Sequence, residues 1–292
     1  MDHAADSANS AANSASVAVP AAAAAASSVT DDLLAEYVEL AGLCESLDAA
    51  AWQQATAFHR WTPWDEIAHL CYFDAAALVA VHDAPRFVRE AAALGQRGAQ
   101  GEQISAIARA SYGHLDGQAL LVFWRACFQA LVAALASLDP KARLPWYGPA
   151  MSTRSFATAR LMETWAHGQD IWDAARRRRP TSARLRHIAH LGVTTFGWTF
   201  ANRGLAVPEL APYVVLQAPD GGSWTWGDPA SAHVVSGSAE DFCLLVTQRR
   251  HVDDTALRYS AGPVATWLHM AQCFAGPPAD GPAAGVRQLV DG

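Results

Sequence analysis

Hydrophobic positions recur at helical spacing through the first two-thirds of the chain. The segment 30–43 opens on Thr30 and two aspartates and then carries an apolar face, which predicts a capped amphipathic helix. A second helix start is stronger, because Thr62 suits the N-cap, a proline follows it, and Asp65 stands at the capping-box position. This helix is predicted to continue to about Val81.

Three more helices follow the same spacing. One fits Asp116 to Leu138, and another opens on Ser152 and stops before Pro180. A fifth spans about 182–202 and closes at Gly204, a common C-terminal cap.

The connections between these helices are rich in glycine and proline. Residues 83–105 have a mixed pattern in which Gly95, Gly98 and Gly101 predict a flexible connection. Residues 140–151 contain two prolines and Gly148 and are predicted to form a loop.

The pattern changes after Pro208, where short apolar runs and turn signals replace the helical period. Tyr213–Leu216 and Trp224–Trp226 flank an Asp-Gly-Gly turn and predict a hairpin, and His233–Val235 predicts another strand. Helices are predicted from Ser238 and over about 263–274. The fold class is therefore mainly α, with a unit of four or five helices at residues 30–205 and a small α+β domain at 206–280. Residues 1–29 and 281–292 are predicted to be tails, the first of them disordered.

Composition narrows the function classes. The 292 residues carry a formal net charge of -7, which disfavours a nucleic-acid binder. The one dense basic run, 176–179, is read either as favourable charge at a helix C-terminus or as a phosphate-binding patch. No uninterrupted apolar run reaches the length needed to cross a bilayer. The five cysteines form no C-x-x-C pair, so reduced thiols and a cytoplasmic location are predicted.

Three residues are candidate metal ligands. Glu163 and His167 are four residues apart on one predicted helix, so both face the same side and can reach one ion. His69 lies on a different predicted helix, and helix bundles build metal sites from facing helices in this way. Three protein ligands leave a coordination position open for water or substrate. From spacing alone, a core histidine that is satisfied by a neighbouring carboxylate is the favoured alternative.

Two motifs carry a family resemblance. The stretch Thr62–Leu70, TPWDEIAHL, and the stretch Met162–Asp170, METWAHGQD, resemble the DinB-like superfamily and, within it, the mycothiol-dependent maleylpyruvate isomerase group. Segments 236–250 and 272–278 are similar to the small α+β domain of that group. The chain also resembles a subgroup labelled wyosine-base-formation-like, but it shows no tRNA-binding signature.

This resemblance implies a site. It implies a DinB-like four-helix bundle in which His69, Glu163 and His167 hold a divalent metal, zinc by the family pattern, although the ligand set also suits iron, nickel or manganese. Asp170 would orient a ligand or a nucleophile, or it is a surface or helix-pairing carboxylate. The resemblance also implies an arginine, Arg249 or Arg250, that binds an anionic group, and the alternative is an ordinary surface pair. Trp64 and Trp165 would line a cofactor pocket, and the alternative for each is core packing.

Three functions fit these residues. The first is a metal-dependent S-transferase or isomerase that activates a low-molecular-weight thiol, mycothiol or glutathione, towards a small electrophilic substrate. The second is a metal-dependent hydrolase or lyase that uses water without a thiol. The third is a non-catalytic metal-binding sensor. All three take a small molecule as partner, with neither nucleic acid nor membrane, and the sequence leaves the oligomeric state open.

Overall fold

A computed structural model describes residues 28–287. The predicted N-terminal tail, but for its last two residues, and the last five residues of the predicted C-terminal tail lie outside the described residues. The described chain contains the following α-helices: α1 (Val29–Glu45), α2 (Pro63–His82), α3 (Ala84–Ala99), α4 (Ile104–Tyr112), α5 (Gly117–Ala136), α6 (Thr153–Ala174), α7 (Leu185–Thr194), α8 (Phe196–Asn202), α9 (Ala239–Val246) and α10 (Pro263–Met270). Its strands are β1 (Arg143–Leu144), β2 (Met151–Ser152), β3 (Tyr213–Gln217), β4 (Ser223–Trp226), β5 (Val234–Ser238) and β6 (Arg258–Tyr259).

Helices α1, α2, α5 and α6 form a four-helix bundle, in which α2 and α1 each contact both α5 and α6. The predicted start of α2 is confirmed, since Thr62 and Asp65 make a capping box and a proline opens the helix. For α1 the cap is Ser28 rather than Thr30. Ser28 makes a capping box with Asp31, which satisfies backbone donors that Thr30 would leave unpaired.

A polar cluster sits inside the bundle. The fully buried Asp74 of α2 accepts hydrogen bonds from Tyr37 of α1, Trp124 of α5 and Arg160 of α6. Because one carboxylate joins all four helices, it fixes their mutual register in a way that apolar packing alone does not. Arg160 lies one helical turn before Glu163, so this cluster supports the helix that carries two candidate ligands.

Two predicted connections are wrong. Residues 83–105, predicted to be a flexible connection, contain α3 and the start of α4. Gly95 and Gly98 are tolerated inside α3, and a Cβ added at either would meet nothing within 4 Å. The predicted loop 140–151 contains the short ribbon in which Arg143 pairs with Ser152. The fifth predicted helix is divided into α7 and α8 at Thr195, where the side chains of Thr194 and Thr195 bond to carbonyls one turn back and favour a bend.

Helix α5 is, within residues 28–287, the one helix that is long and apolar enough by length and composition to cross a membrane. Core helices of bundles have the same character. Trp124, Phe128 and Leu131 of α5 are buried against the other helices, and Arg125 pairs with Glu45 of α1. The packing of α5 is therefore that of a bundle interior.

The chain after α8 forms the α+β unit. A four-stranded sheet has the order β4-β3-β5-β6, with β3 antiparallel to β4 and parallel to β5. Helix α9 follows β5 directly, is capped by Ser238, and packs against α7. The mainly α fold with a small α+β part is confirmed, whereas the residue numbers of the domain boundaries stay a prediction.

Candidate metal centre

The three candidate ligands converge between α2 and α6. One oxygen of Glu163, Oε2, lies 3.3 Å from His167 Nε2 and 3.9 Å from His69 Nε2. Ligand-type atoms of all three residues lie within 4.8 Å of one another, and the two imidazole rings are 4.3 Å apart between centroids. Glu163 is 26% exposed and the His69 side chain 12%, so the cluster borders solvent on one side.

A second carboxylate orients His167. Nδ1 of His167 lies 2.7 Å from Oε2 of Glu66, and Glu66 is fully buried. The other carboxylate oxygen of Glu66 accepts a hydrogen bond from the Thr56 hydroxyl. Burial raises the pKa of Glu66, but in its charged form this carboxylate can only accept, so Nδ1 of His167 then carries the proton and Nε2 presents its lone pair towards Glu163. Metal-binding histidines are held in this way by an outer carboxylate.

The protonation states suit a cation. Burial, together with the charge of His69, lowers the pKa of His167 to about 3, and burial also lowers the pKa of His69. Burial would raise the pKa of Glu163, but the hydrogen bonds and charge that the two histidines supply when protonated outweigh it and hold that pKa well below its usual range. Near neutral pH the cluster therefore offers two neutral imidazoles and a carboxylate, the forms that bind metal ions.

Aromatic side chains surround the two histidines. The Trp61 ring is stacked on His167 at 5.9 Å and tilted on His69 at 5.3 Å, and Phe58 meets His167 edge-on at 5.4 Å. Both come from the segment before α2, which folds back on itself through a hydrogen bond from the Thr56 amide to the Trp61 carbonyl. Phe73 of α2 closes the side next to His69, at 4.8 Å. The resulting wall is apolar and keeps water from the ligands except on the side of Glu163 and His69.

This segment has an unusual backbone. His59 and Arg60 have φ of 47° and 58°, in the left-handed region that non-glycine residues rarely adopt. Such strained backbone persists only where the surrounding contacts determine it, and it is concentrated at functional sites. Here it turns Phe58 and Trp61 together towards the histidines.

Asp170 is held by two arginines from distant parts of the chain. Arg249, just after α9, donates to Oδ2 from Nε and Nη2 at 3.0 and 2.8 Å, and Arg287 donates to Oδ1 at 3.0 Å. Burial raises the pKa of Asp170, although both arginines oppose the rise. Both guanidinium groups also lie over the Phe58 ring, at 4.5 and 5.5 Å. Asp170, Glu66 and His167 form a second cluster of ligand-type atoms. Asp170 is therefore connected to the candidate ligands by its proximity to His167, not to Glu163.

The two candidate arginines differ in position. Arg250 makes a bidentate pair with Asp173, one helical turn beyond Asp170. Arg249 is the one beside the centre, but Asp170 and the Thr247 carbonyl take its donors. The expected pairing of either arginine with a substrate anion is therefore not visible in this arrangement.

The structure places the two candidate indoles away from the ligands. Trp64 is 5% exposed, donates to the Leu115 carbonyl and has Arg109 over its ring. Trp165 is 4% exposed and packs under Arg179. Two residues along a helix are roughly 200° apart, so Trp165 faces away from both Glu163 and His167. Their role in binding a cofactor stays a prediction, and Phe58 and Trp61 occupy the place beside the ligands.

The basic run 176–179 follows the C-terminal end of α6, whose last turn contains no basic residue. Three of its arginines have structural contacts: Arg177 with Trp172 and Ser46, Arg178 with Glu240, and Arg179 with Glu36, Glu39 and the Trp165 carbonyl. These pairs join the segment after α6 to α1 and α9. They account for the run better than helix-end charge or a phosphate-binding patch does.

Sequence reasoning missed Glu66, Phe58, Trp61 and Arg287. Only Glu66 carried a signal, because it lies three residues before His69 on the same helix face. Its partner His167 is 101 residues away, so the pairing itself was invisible. Arg287 falls within the predicted C-terminal tail, yet it is 8% exposed.

Fold and site together define a class of protein: a four-helix bundle that gathers two imidazoles and a carboxylate from facing helices, with an α+β unit that supplies an arginine to the neighbouring carboxylate. The family model for the mycothiol maleylpyruvate isomerase N-terminal domain matches residues 33–172. The chain belongs to the DinB-like maleylpyruvate isomerase group.

Relatives and solved structures extend over most of the chain. The uncharacterized proteins Rv0036c and MT0041, from two strains of Mycobacterium tuberculosis, are each 41% identical over 252 residues, covering 86% of this chain and 96% of theirs. Crystal structures of the mycothiol-dependent maleylpyruvate isomerase and of a histidine-to-alanine mutant of it each align with a TM-score of 0.53 and 16% identity. Each alignment covers 80% of this chain and 92% of theirs. At this identity the structures support the shared fold.

Proposed function

We propose that the protein is a cytoplasmic, metal-dependent enzyme that activates a low-molecular-weight thiol, mycothiol in the first place, towards a small electrophilic substrate. The reaction is an isomerisation when the thiol leaves again and an S-transfer when it stays. One observation carries the proposal: His69, Glu163 and His167 converge on one point between facing helices, next to solvent. The solved relative is named as mycothiol-dependent, and this supports mycothiol over glutathione.

The residues fit a divalent metal. Nε2 of His167 and Oε2 of Glu163 are two electron-rich atoms 3.3 Å apart, and the proton that would relieve their repulsion is on Nδ1, towards Glu66. A cation bound by both atoms and by Nε2 of His69 removes that repulsion. Two imidazoles and one carboxylate form a ligand set that zinc takes in catalytic sites with an open position.

Zinc held there would act as a Lewis acid and lower the pKa of a thiol in the open position, so that the nucleophilic anion is available near neutral pH. The chain's own residues prepare that position. Glu66 fixes the His167 tautomer, and the Asp74–Arg160 pair holds α6 against α2. Phe58, Trp61 and Phe73 exclude water from the inner side, which protects a reactive thiolate from protonation.

Asp170 and Arg249 are positioning residues in this proposal. Their ion pair is 2–4% exposed and links the ligand helix α6 to the α+β unit. Through Phe58, which lies under the Arg249 guanidinium and against His167, the pair sets the position of the aromatic wall.

The test combines metal analysis with thiol-dependent turnover. Purified wild type, His69→Ala and Glu163→Ala are compared for bound zinc, and the zinc-loaded wild type is assayed on maleylpyruvate with mycothiol, glutathione and bacillithiol in turn. We expect His69→Ala and Glu163→Ala each to bind one zinc fewer than wild type, and turnover only with a thiol. Zinc binding equal to that of wild type in both variants would place the metal elsewhere. Turnover of an electrophilic substrate in the absence of any thiol would indicate a hydrolase or lyase that uses water.

A further inference from the structure

We propose a second divalent metal site on the α+β unit, formed by His251, Asp253 and His269. One ligand-type atom from each of the three lies within 4.8 Å of the other two. They come from two separate segments, the turn after α9 and the helix α10, so their meeting does not follow from sequence spacing. The site shares no residue with the cluster of His69, Glu163 and His167.

Hydrogen bonds set the lone pairs of both histidines. Nδ1 of His269 lies 2.8 Å from the Ala265 carbonyl, which can only accept, so the lone pair of His269 is on Nε2. Nδ1 of His251 accepts from the Asp253 amide at 3.2 Å, so a metal ion at this nitrogen would replace that hydrogen bond. That nitrogen also lies 3.5 Å from the Asp253 carboxylate. Two acceptors that face each other in this way are stabilised by a cation between them.

The surroundings leave room and favour positive charge. The two histidines, 5.6 Å apart between ring centroids, line a surface cavity of about 230 Å³. Asp280, which pairs with Arg203, also lines this cavity. Arg250 lines it too and is already paired with Asp173. Two imidazoles with one carboxylate select zinc, nickel or copper rather than calcium or magnesium.

The site has a structural role in this proposal. His251 lies two residues after Arg249, which holds Asp170, and His269 lies in the last turn of α10. A metal bound by both joins α10 to the segment that carries Arg249. It stabilises the α+β unit and does not take part in chemistry, because its ligands lie in another cavity.

Metal titration of tag-free protein tests the site. Zinc and nickel are titrated by calorimetry into wild type, His269→Ala, His251→Ala and the double variant His69→Ala/Glu163→Ala, with His114→Ala as a control that removes an exposed histidine outside every such cluster. We expect two zinc ions in wild type and in His114→Ala, and one in each of the other three. The thermal midpoint of the double variant should rise on addition of zinc, and adding His269→Ala should abolish that rise.

Two results would overturn the proposal. One is a single zinc in wild type that His69→Ala/Glu163→Ala removes completely. The other is unchanged stoichiometry in both His251→Ala and His269→Ala. If the double variant fails to fold, the two single variants still decide, since each leaves the first cluster intact.

Discussion

The hydrogen bond between Glu66 and His167 yields a graded prediction for metal affinity. Glu66→Gln keeps the size and an acceptor oxygen but removes the charge that the 2.7 Å contact places behind the imidazole. Loss of such an outer carboxylate weakens metal binding by about 10- to 100-fold, or about 1.4 to 2.8 kcal/mol. Charge-assisted bonds are about twice as strong as neutral ones, so Glu66→Gln should cost about tenfold. Glu66→Ala also leaves the buried Nδ1–H unpaired and should approach 100-fold.

The assay is competition for zinc against a chelator of known affinity, at fixed pH. Glu36→Gln is the matched control, because Glu36 is an equally buried bundle glutamate that pairs with Arg179 and Arg184 far from the ligands. Stability separates the role in binding from a role in folding. Burial, assisted by the charge of Asp170, raises the pKa of Glu66, so its ionisation opposes folding as pH rises above the ordinary value of 4.5. The metal-free Glu66→Gln protein should therefore melt no lower than wild type at pH 7.

Zinc affinity of Glu66→Gln within twofold of wild type would refute this reasoning. So would an equal loss in Glu36→Gln, because the effect would then come from the bundle as a whole.

Three further predictions follow from the same geometry. Arg249→Ala should lower the free energy of unfolding by about 3 kcal/mol, since the buried Asp170 is left with only Arg287. Arg86→Ala, which breaks an exposed pair with Glu90, should have a much smaller effect. Urea unfolding measures both, and equal effects would contradict the ion-pair argument. Folding lowers the pKa of His167 from 6.5 to about 3, so the metal-free protein should lose stability as pH falls below about 6.5. His167→Gln should flatten this part of the plot of thermal midpoint against pH. An unchanged plot would count against a buried neutral imidazole. Trp61→Ala should raise KM for the thiol or the substrate, while Trp165→Phe should leave KM near the wild-type value; the reverse order in steady-state assays would restore Trp165 to the pocket.

Local signals predicted the bundle well. The capping box at Thr62 and Asp65 and the apolar faces of α1, α5 and α6 are properties of adjacent residues, so the sequence alone defines them. The glycines at 95 and 98 misled, because glycine weakens a helix by only about 1 kcal/mol and the exposed helix α3 tolerates that cost.

The candidate ligands were accessible to sequence reasoning in part. Glu163 and His167 follow from helix spacing, but the choice of His69 among 11 histidines came from the motif resemblance. Contacts between distant residues have no local signature. Glu66 with His167, and Arg287 with Asp170, are separated by 101 and 117 residues and were visible only in the fold.

The shared carboxylate of Asp170 limits how far the two units of the chain are interchangeable. Its oxygens are divided between an arginine after α9 and another at position 287, so neither the bundle nor the α+β unit contains the complete arrangement. A chimera that joins this bundle to a foreign α+β unit needs both guanidinium groups at the same places. Shortening the chain before residue 287 would strip one of them, even though the cut lies more than a hundred residues from the helix it affects.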